Sequence, residues 1–192
     1  MSIRILSSEV SSFQYKSIYS TAYSELCSTK RRFLKKYLKM PFRRMPDNYK
    51  RDLAAYSALV SAILEQCAED LVWAYLFDLS TTVRATTALP LRGARAADCL
   101  LNASSKLHSV HGISHNDLKT IAGVAQFTLA CSTVQINAFY QLGKLRGQAV
   151  HTFAVAVRDP ADVWADTKDI FAVIRDLAIF CSATAHGFRL MR

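Results

Sequence analysis

Between Asp47 and Leu79, apolar side chains recur at Leu53, Tyr56, Val60, Ile63, Leu64, Cys67, Leu71, Ala74 and Tyr75. This is the i, i+3, i+4, i+7 spacing of an amphipathic helix. The stretch holds neither glycine nor proline, so nothing in it interrupts a helix. A second row, Ala54, Ala58 and Ala62, is small enough for another helix to approach closely, and a helix apolar on two sides belongs in the middle of a bundle. The remaining chain has to cover it. With six glycines and four prolines in 192 residues, it favours few long helices over many short strands. The expected fold is an all-α, single-domain helical bundle of about five to six helices.

The other segments supply the partners. Phe13, Ile18, Tyr19, Ala22, Tyr23 and Leu26 mark a helix over residues 8–29, which runs into a basic stretch ended by Pro41 and Pro46. Residues 80–93 read as a connection closed by Pro90 and Gly93, followed by a short helix from Ala94 to about Leu107 and a loop from His108 to Ser114. Ser114 and Asp117 form a capping-box-like start for a helix to about Gly143, with Leu118, Ile121, Ala122, Ala125, Leu129, Ser132, Ile136 and Phe139 on its buried stripe. Gly143 and Gly147 bracket the start of a short helix that ends near Arg158. Asp159-Pro160, with Asp162 at N3, opens a final helix to about Ala185, whose buried face is Val163, Ile170, Ile174, Leu177 and Cys181. Residues 1–46 are expected to pack on, or lead into, a core bundle formed by 47–192.

The formal net charge of +9 suits a phosphate-rich partner or an anionic surface. Eight Lys or Arg fall between Lys30 and Arg44. Of these, Arg31, Arg32, Lys35, Lys36, Lys39, Arg43 and Arg44 are the candidate RNA contacts, and the interleaved Phe33, Tyr37 and Phe42 are candidates for stacking bases. A solvated helix face is the plain alternative, and attachment to an anionic membrane surface a third. Cys27, Cys67, Cys99, Cys131 and Cys181 are scattered singly in apolar patterns, which fits buried thiols in a reducing compartment. No secretory signal and no membrane span is expected, since the longest apolar run, Leu71 to Phe77, is far short of the roughly 18 residues a span needs. A soluble, cytoplasmic protein is the expectation.

One pairing suggests chemistry. In Leu142-Gly143-Lys144-Leu145-Arg146-Gly147-Gln148-Ala149-Val150-His151-Thr152, an arginine and a histidine stand in an R-x4-H pattern. The stretch resembles the R-x4-6-H motif of the HEPN superfamily, small all-helical domains many of which are metal-independent ribonucleases, among them the RiboL-PSP and MAE types. The resemblance covers roughly Asp47 to Ala185 in architecture and Leu142 to Thr152 in motif. It implies that Arg146 and His151 are catalytic, that two motifs meet across a homodimer, and that RNA is cleaved without a cofactor to leave a 2′,3′-cyclic phosphate. It also implies a role as a toxin or phage-defence effector, with an antitoxin or nucleotidyltransferase as partner. Where the family commonly has a polar residue after the arginine, this chain has Gly147, and Gln148 or Thr152 would take its part. Glu65 or Glu69 would orient Arg146.

The residue types fit that chemistry. Histidine can take or give a proton near neutrality, and a guanidinium offers a fork matched to phosphate oxygens. On a helix, however, five positions lie about 140° and 7.5 Å apart. Either Gly147 lets the backbone bend, or two chains share the site. A non-catalytic HEPN-like module binding RNA or an acidic partner protein is the alternative, as is an unrelated helical adaptor. His108, His111 and His115 have H-x2-H-x3-H spacing, but no Cys or acid joins them before Asn116-Asp117, so no metal is expected. His186 sits near a helix end, where a cationic imidazole suits the dipole.

Overall fold

The computed structural model describes residues 13–86, 102, 105–107, 113–151 and 156–190; at 13, 42, 80–86, 150, 151 and 185–190 only the backbone is described. Among the described residues the fold is all-α: α1 (Phe13–Phe33), a 3-10 turn (Phe42–Arg44), α2 (Asn48–Thr86), α3 (His115–Val124), α4 (Thr133–His151) and α5 (Pro160–Leu190). The central position expected for α2 holds, since it packs against all four other helices.

Tyrosines set the directions of the helices. The Tyr15 hydroxyl donates to Asp78 at 3.0 Å, and that of Tyr37 donates to Asp52 at 2.7 Å, so α1 and its continuation run antiparallel to α2. α5 runs parallel to α2: the Tyr49 hydroxyl donates to the Arg158 carbonyl at 2.6 Å, and Tyr56 and Thr167 share a buried 2.8 Å hydrogen bond. Tyr19 stacks on Phe171 with ring centroids 4.2 Å apart, closing the layer between α1 and α5. Tyr15, Tyr19, Leu26, Leu34 and Tyr37 belong to the same buried cluster as Leu64, Leu142 and Ile174. The N-terminal segment therefore contributes to the one core.

Several boundaries differ from expectation. α2 continues seven residues past Leu79 to Thr86, into the stretch read as a connection. Ala54 is half-buried against the core but Ala58 and Ala62 are exposed, so among the described residues no helix covers the rest of that alanine row; the second packed side of α2 runs through Ser57, Ser61, Ala68 and Val72 instead. The helix expected from Ser114 to Gly143 is two helices. The capping box at Ser114 and Asp117 is present, but α3 stops at Val124 and Gln126 takes a left-handed φ of 58°. A second capping box then opens α4, the Ser132 amide donating to Gln135 Oε1 at 2.8 Å and the Gln135 amide to Ser132 Oγ at 3.3 Å. Ser132 and Ile136, assigned above to a buried stripe, are accordingly exposed.

Gly143 and Gly147 lie inside α4, and residues 156–159 are not helical, so no separate motif helix reaches Arg158. α5 extends past Ala185 to Leu190, and its start is as expected, with the Ala161 amide donating to Asp159 Oδ1 at 2.7 Å. The helix expected over 94–107 lies mostly outside the described residues. Burial pushes the thiols of Cys67 and Cys181 up to about 12, which makes both inert; Cys27 and Cys131 are half-buried, and Cys99 lies outside the described residues.

Candidate nucleic-acid interface and motif helix

Four chain ends meet at one end of the bundle. The exit of α1 and the entry of α2 are joined there by residues 34–47, and the Lys30 ammonium sits 4.3 Å over the ring of Trp164 in the first turns of α5. The exit of α4 is fastened to the entry of α5 because the Ala156 amide donates to Gln148 Oε1 at 3.0 Å. Tyr49 holds the Arg158 carbonyl of that same crossing segment. Arg158 in turn pairs with Asp166 at 2.6 Å. Burial holds the Asp166 carboxyl above its usual range despite that bond.

This end carries the molecule's charge. Residues 30–51 hold ten Lys or Arg and one acid, Asp47, while the other 170 residues hold fourteen of each sign. The whole positive excess therefore resides in 22 residues. Arg31, Arg32, Lys35, Lys36, Lys39, Arg43 and Arg44 are exposed, as expected of candidate RNA contacts, and Lys50 and Arg51 on the first turn of α2 join them. Counting charges past the two prolines would have found this pair.

The aromatic residues of the segment do not serve as expected. Tyr37 is only 1% exposed and packs edge-on against Tyr49 at 4.6 Å between centroids, while Phe33 is half-buried against the core. Neither presents a free face to a base. They pin the segment from beneath, and Phe42 is outside the described side chains. Tyr37 also gathers polar groups, since its hydroxyl meets Asp52 and, at 3.2 Å, Asn48, and Lys36 pairs with Asp52 at 2.7 Å. Burial pushes the Asp52 carboxyl up, but the bonds from Lys36 and Tyr37 outweigh it and hold it below the usual carboxylate range.

On α4, Leu142 and Leu145 anchor the inner side in the core, and Arg146 next to them is half-buried. The helix is continuous through Gly147, and among the described residues no glycine has a positive φ. The helix is therefore not broken at Gly147 between Arg146 and position 151. Position 151 shares the outer row of Tyr140, Lys144 and Gly147, about 140° around the helix from Arg146. The His151 side chain and Thr152 lie outside the described residues.

Glu65 and Glu69 are half-buried on the flank of α2, and neither forms an ion pair with Arg146. Among the expected supporting residues, Gln148 accepts from the Ala156 amide. His115 opens α3 beside Phe139, whereas His108 and His111 lie outside the described residues, and no group of described residues could hold a metal ion. No described helix is long and apolar enough to cross a membrane. No family model, no curated protein and no solved structure matches this chain.

Proposed function

We propose that the protein is a metal-independent endoribonuclease of the HEPN type, acting as a homodimer, in the role of a cytoplasmic toxin or phage-defence effector kept in check by an antitoxin or nucleotidyltransferase partner. The observation that carries this reading is the meeting, at one end of an all-helical bundle, of the Arg146–His151 end of α4 with the segment that holds the whole positive excess. RNA held by its phosphates along residues 30–51 would lie next to the motif helix. The His151 imidazole takes the proton of a 2′-OH, the freed oxygen attacks phosphorus, and the P–O5′ bond breaks as the leaving oxygen is protonated by the second imidazole. Arg146 neutralises charge on the phosphorane-like transition state, and the products end in a 2′,3′-cyclic phosphate and a 5′-OH.

A second copy is part of the reading because positions 146 and 151 lie on different sides of a continuous helix. The outer side of α4 exposes Val134, Ile136 and Tyr140, with Val134 and Tyr140 each at 64%, side chains of the kind a second copy would cover. The alternative, a non-catalytic module binding RNA or an acidic protein, is favoured by one observation: among the described residues no carboxylate forms an ion pair with Arg146.

RNA cleavage in EDTA separates the two. A nuclease loses on the order of a hundredfold or more of its rate in His151→Ala while still binding RNA. Wild-type protein that binds RNA and leaves it intact returns the chain to the module reading.

A further inference from the structure

The basic end differs from an ordinary solvated helix face in how it is built. Arg31, Arg32, Lys35, Lys39, Arg43, Arg44, Lys50 and Arg51 are exposed, and among the described residues none of them has a carboxylate partner. Asp52, beside the cluster, is taken by Lys36 and Tyr37, and Asp47, the one acid within residues 30–51, is exposed and forms no ion pair among the described residues. Nor do these cations sit on a loose tail. Leu34, Tyr37 and Tyr49, each at most 1% exposed, anchor the chain beneath them, and the Phe42–Arg44 turn is tied by the Arg44 amide donating to the Pro41 carbonyl at 2.8 Å. Like charges held on a fixed frame repel one another, and a polyanion relieves that repulsion as it binds. Of the aromatic residues interleaved with the cations, Tyr37 is buried edge-on against Tyr49, Phe33 is half-buried against the core with the Arg32 guanidinium 5.0 Å over its ring, and the Phe42 side chain lies outside the described residues.

We infer that residues 31–51 form a phosphate rail: a surface that grips the backbone of a single-stranded polynucleotide and is blind both to base sequence and to the 2′-OH. The inference builds on the proposed action on RNA and assigns its two demands to different places. The rail supplies affinity, and selection of ribose over deoxyribose falls to the end of α4. Single-stranded DNA should therefore bind as RNA does and compete with it for the protein, without being cut.

The test is fluorescence anisotropy with two labelled strands of equal length and mixed sequence, one DNA and one 2′-O-methyl RNA, neither of which can be cleaved through a 2′-OH. Expected are affinities within about threefold of each other and a fall with salt bounded by a log-log slope of about −6 for eight cations on a single strand. The paired change Arg43→Glu, Arg44→Glu should weaken both strands equally, by tenfold or more, without lowering the melting temperature, because both side chains are exposed and the reversal relieves repulsion. Phe42→Ala, which removes a ring and no charge, should alter affinity less than twofold. A tenfold preference for the 2′-O-methyl strand, a tenfold loss in Phe42→Ala, or strand binding indifferent to the Arg43 and Arg44 reversals overturns the rail; the last outcome would suit a surface for an acidic protein. The nuclease reading fails separately, if natural RNA binds and is never cut.

Discussion

Two regions at the same end of the molecule are built in opposite ways. The basic segment is fixed from beneath: Leu34, Tyr37 and Tyr49 are buried, and Asp52, Asn48 and Lys36 converge on the Tyr37 hydroxyl or its carboxylate partner, while the outer cations have no carboxylate partner among the described residues. The end of α4 is held on its inner side by Leu142 and Leu145, but its glycines are open; a Cβ built at Gly143 or Gly147 meets nothing within 4 Å. Display on a packed frame suits a surface whose charges act additively. An open helix flank makes the surroundings of Arg146 depend on what comes to lie against it.

The largest effect that would break this contrast is at Tyr37. Tyr37→Ala removes a buried ring and should cost about 3–5 kcal/mol in chemical denaturation, in the range for large aromatic truncations. Tyr37→Phe keeps the ring and loses only the hydroxyl, about 1 kcal/mol. Equal, small losses in the two variants would mean the segment is not anchored through that ring.

Gly147→Ala sharpens the comparison from the other side. Glycine inside a helix with open space around it should gain about 0.5–1 kcal/mol on becoming alanine. A loss of stability, or a shift toward monomer in sedimentation, would instead show a second body packed close against that flank.

The smallest effect is a pH dependence. Because the folded state holds the Asp52 carboxyl below its unfolded value, its contribution is complete above about pH 4 and disappears as pH falls through the folded value. The stability difference between wild type and Asp52→Asn should therefore shrink in acid. A difference constant from pH 2 to 7 would separate Asp52 from the anchoring of the segment.

Much of the fold was legible because periodicity reports burial directly. The α2 stripe, the Asp159-Pro160 start of α5 and the Ser114–Asp117 box all needed only local patterns. The break before α4 was also written in the chain, as Ser132-x-x-Gln135, but an apolar rhythm running across it through Leu129 and Phe139 concealed it. The Ala54, Ala58 and Ala62 row misled for a different reason: small residues permit close approach, and permission is not contact. Gly143 and Gly147 suggested a helix boundary on intrinsic preference, which the buried Leu142 and Leu145 override. Tyr37 was the harder case, since a tyrosine flanked by lysines looks alike whether it faces a base or the core; only the fold-back onto Tyr49 decides.

Because residues 30–51 carry the whole excess charge and the other 170 residues sum to zero, the molecule has one strongly electropositive end. In the field of a negatively charged strand it would be turned while still at a distance and collide tip first. Productive encounters would then outnumber random ones, and the end of α4 would already be near the strand at the first touch.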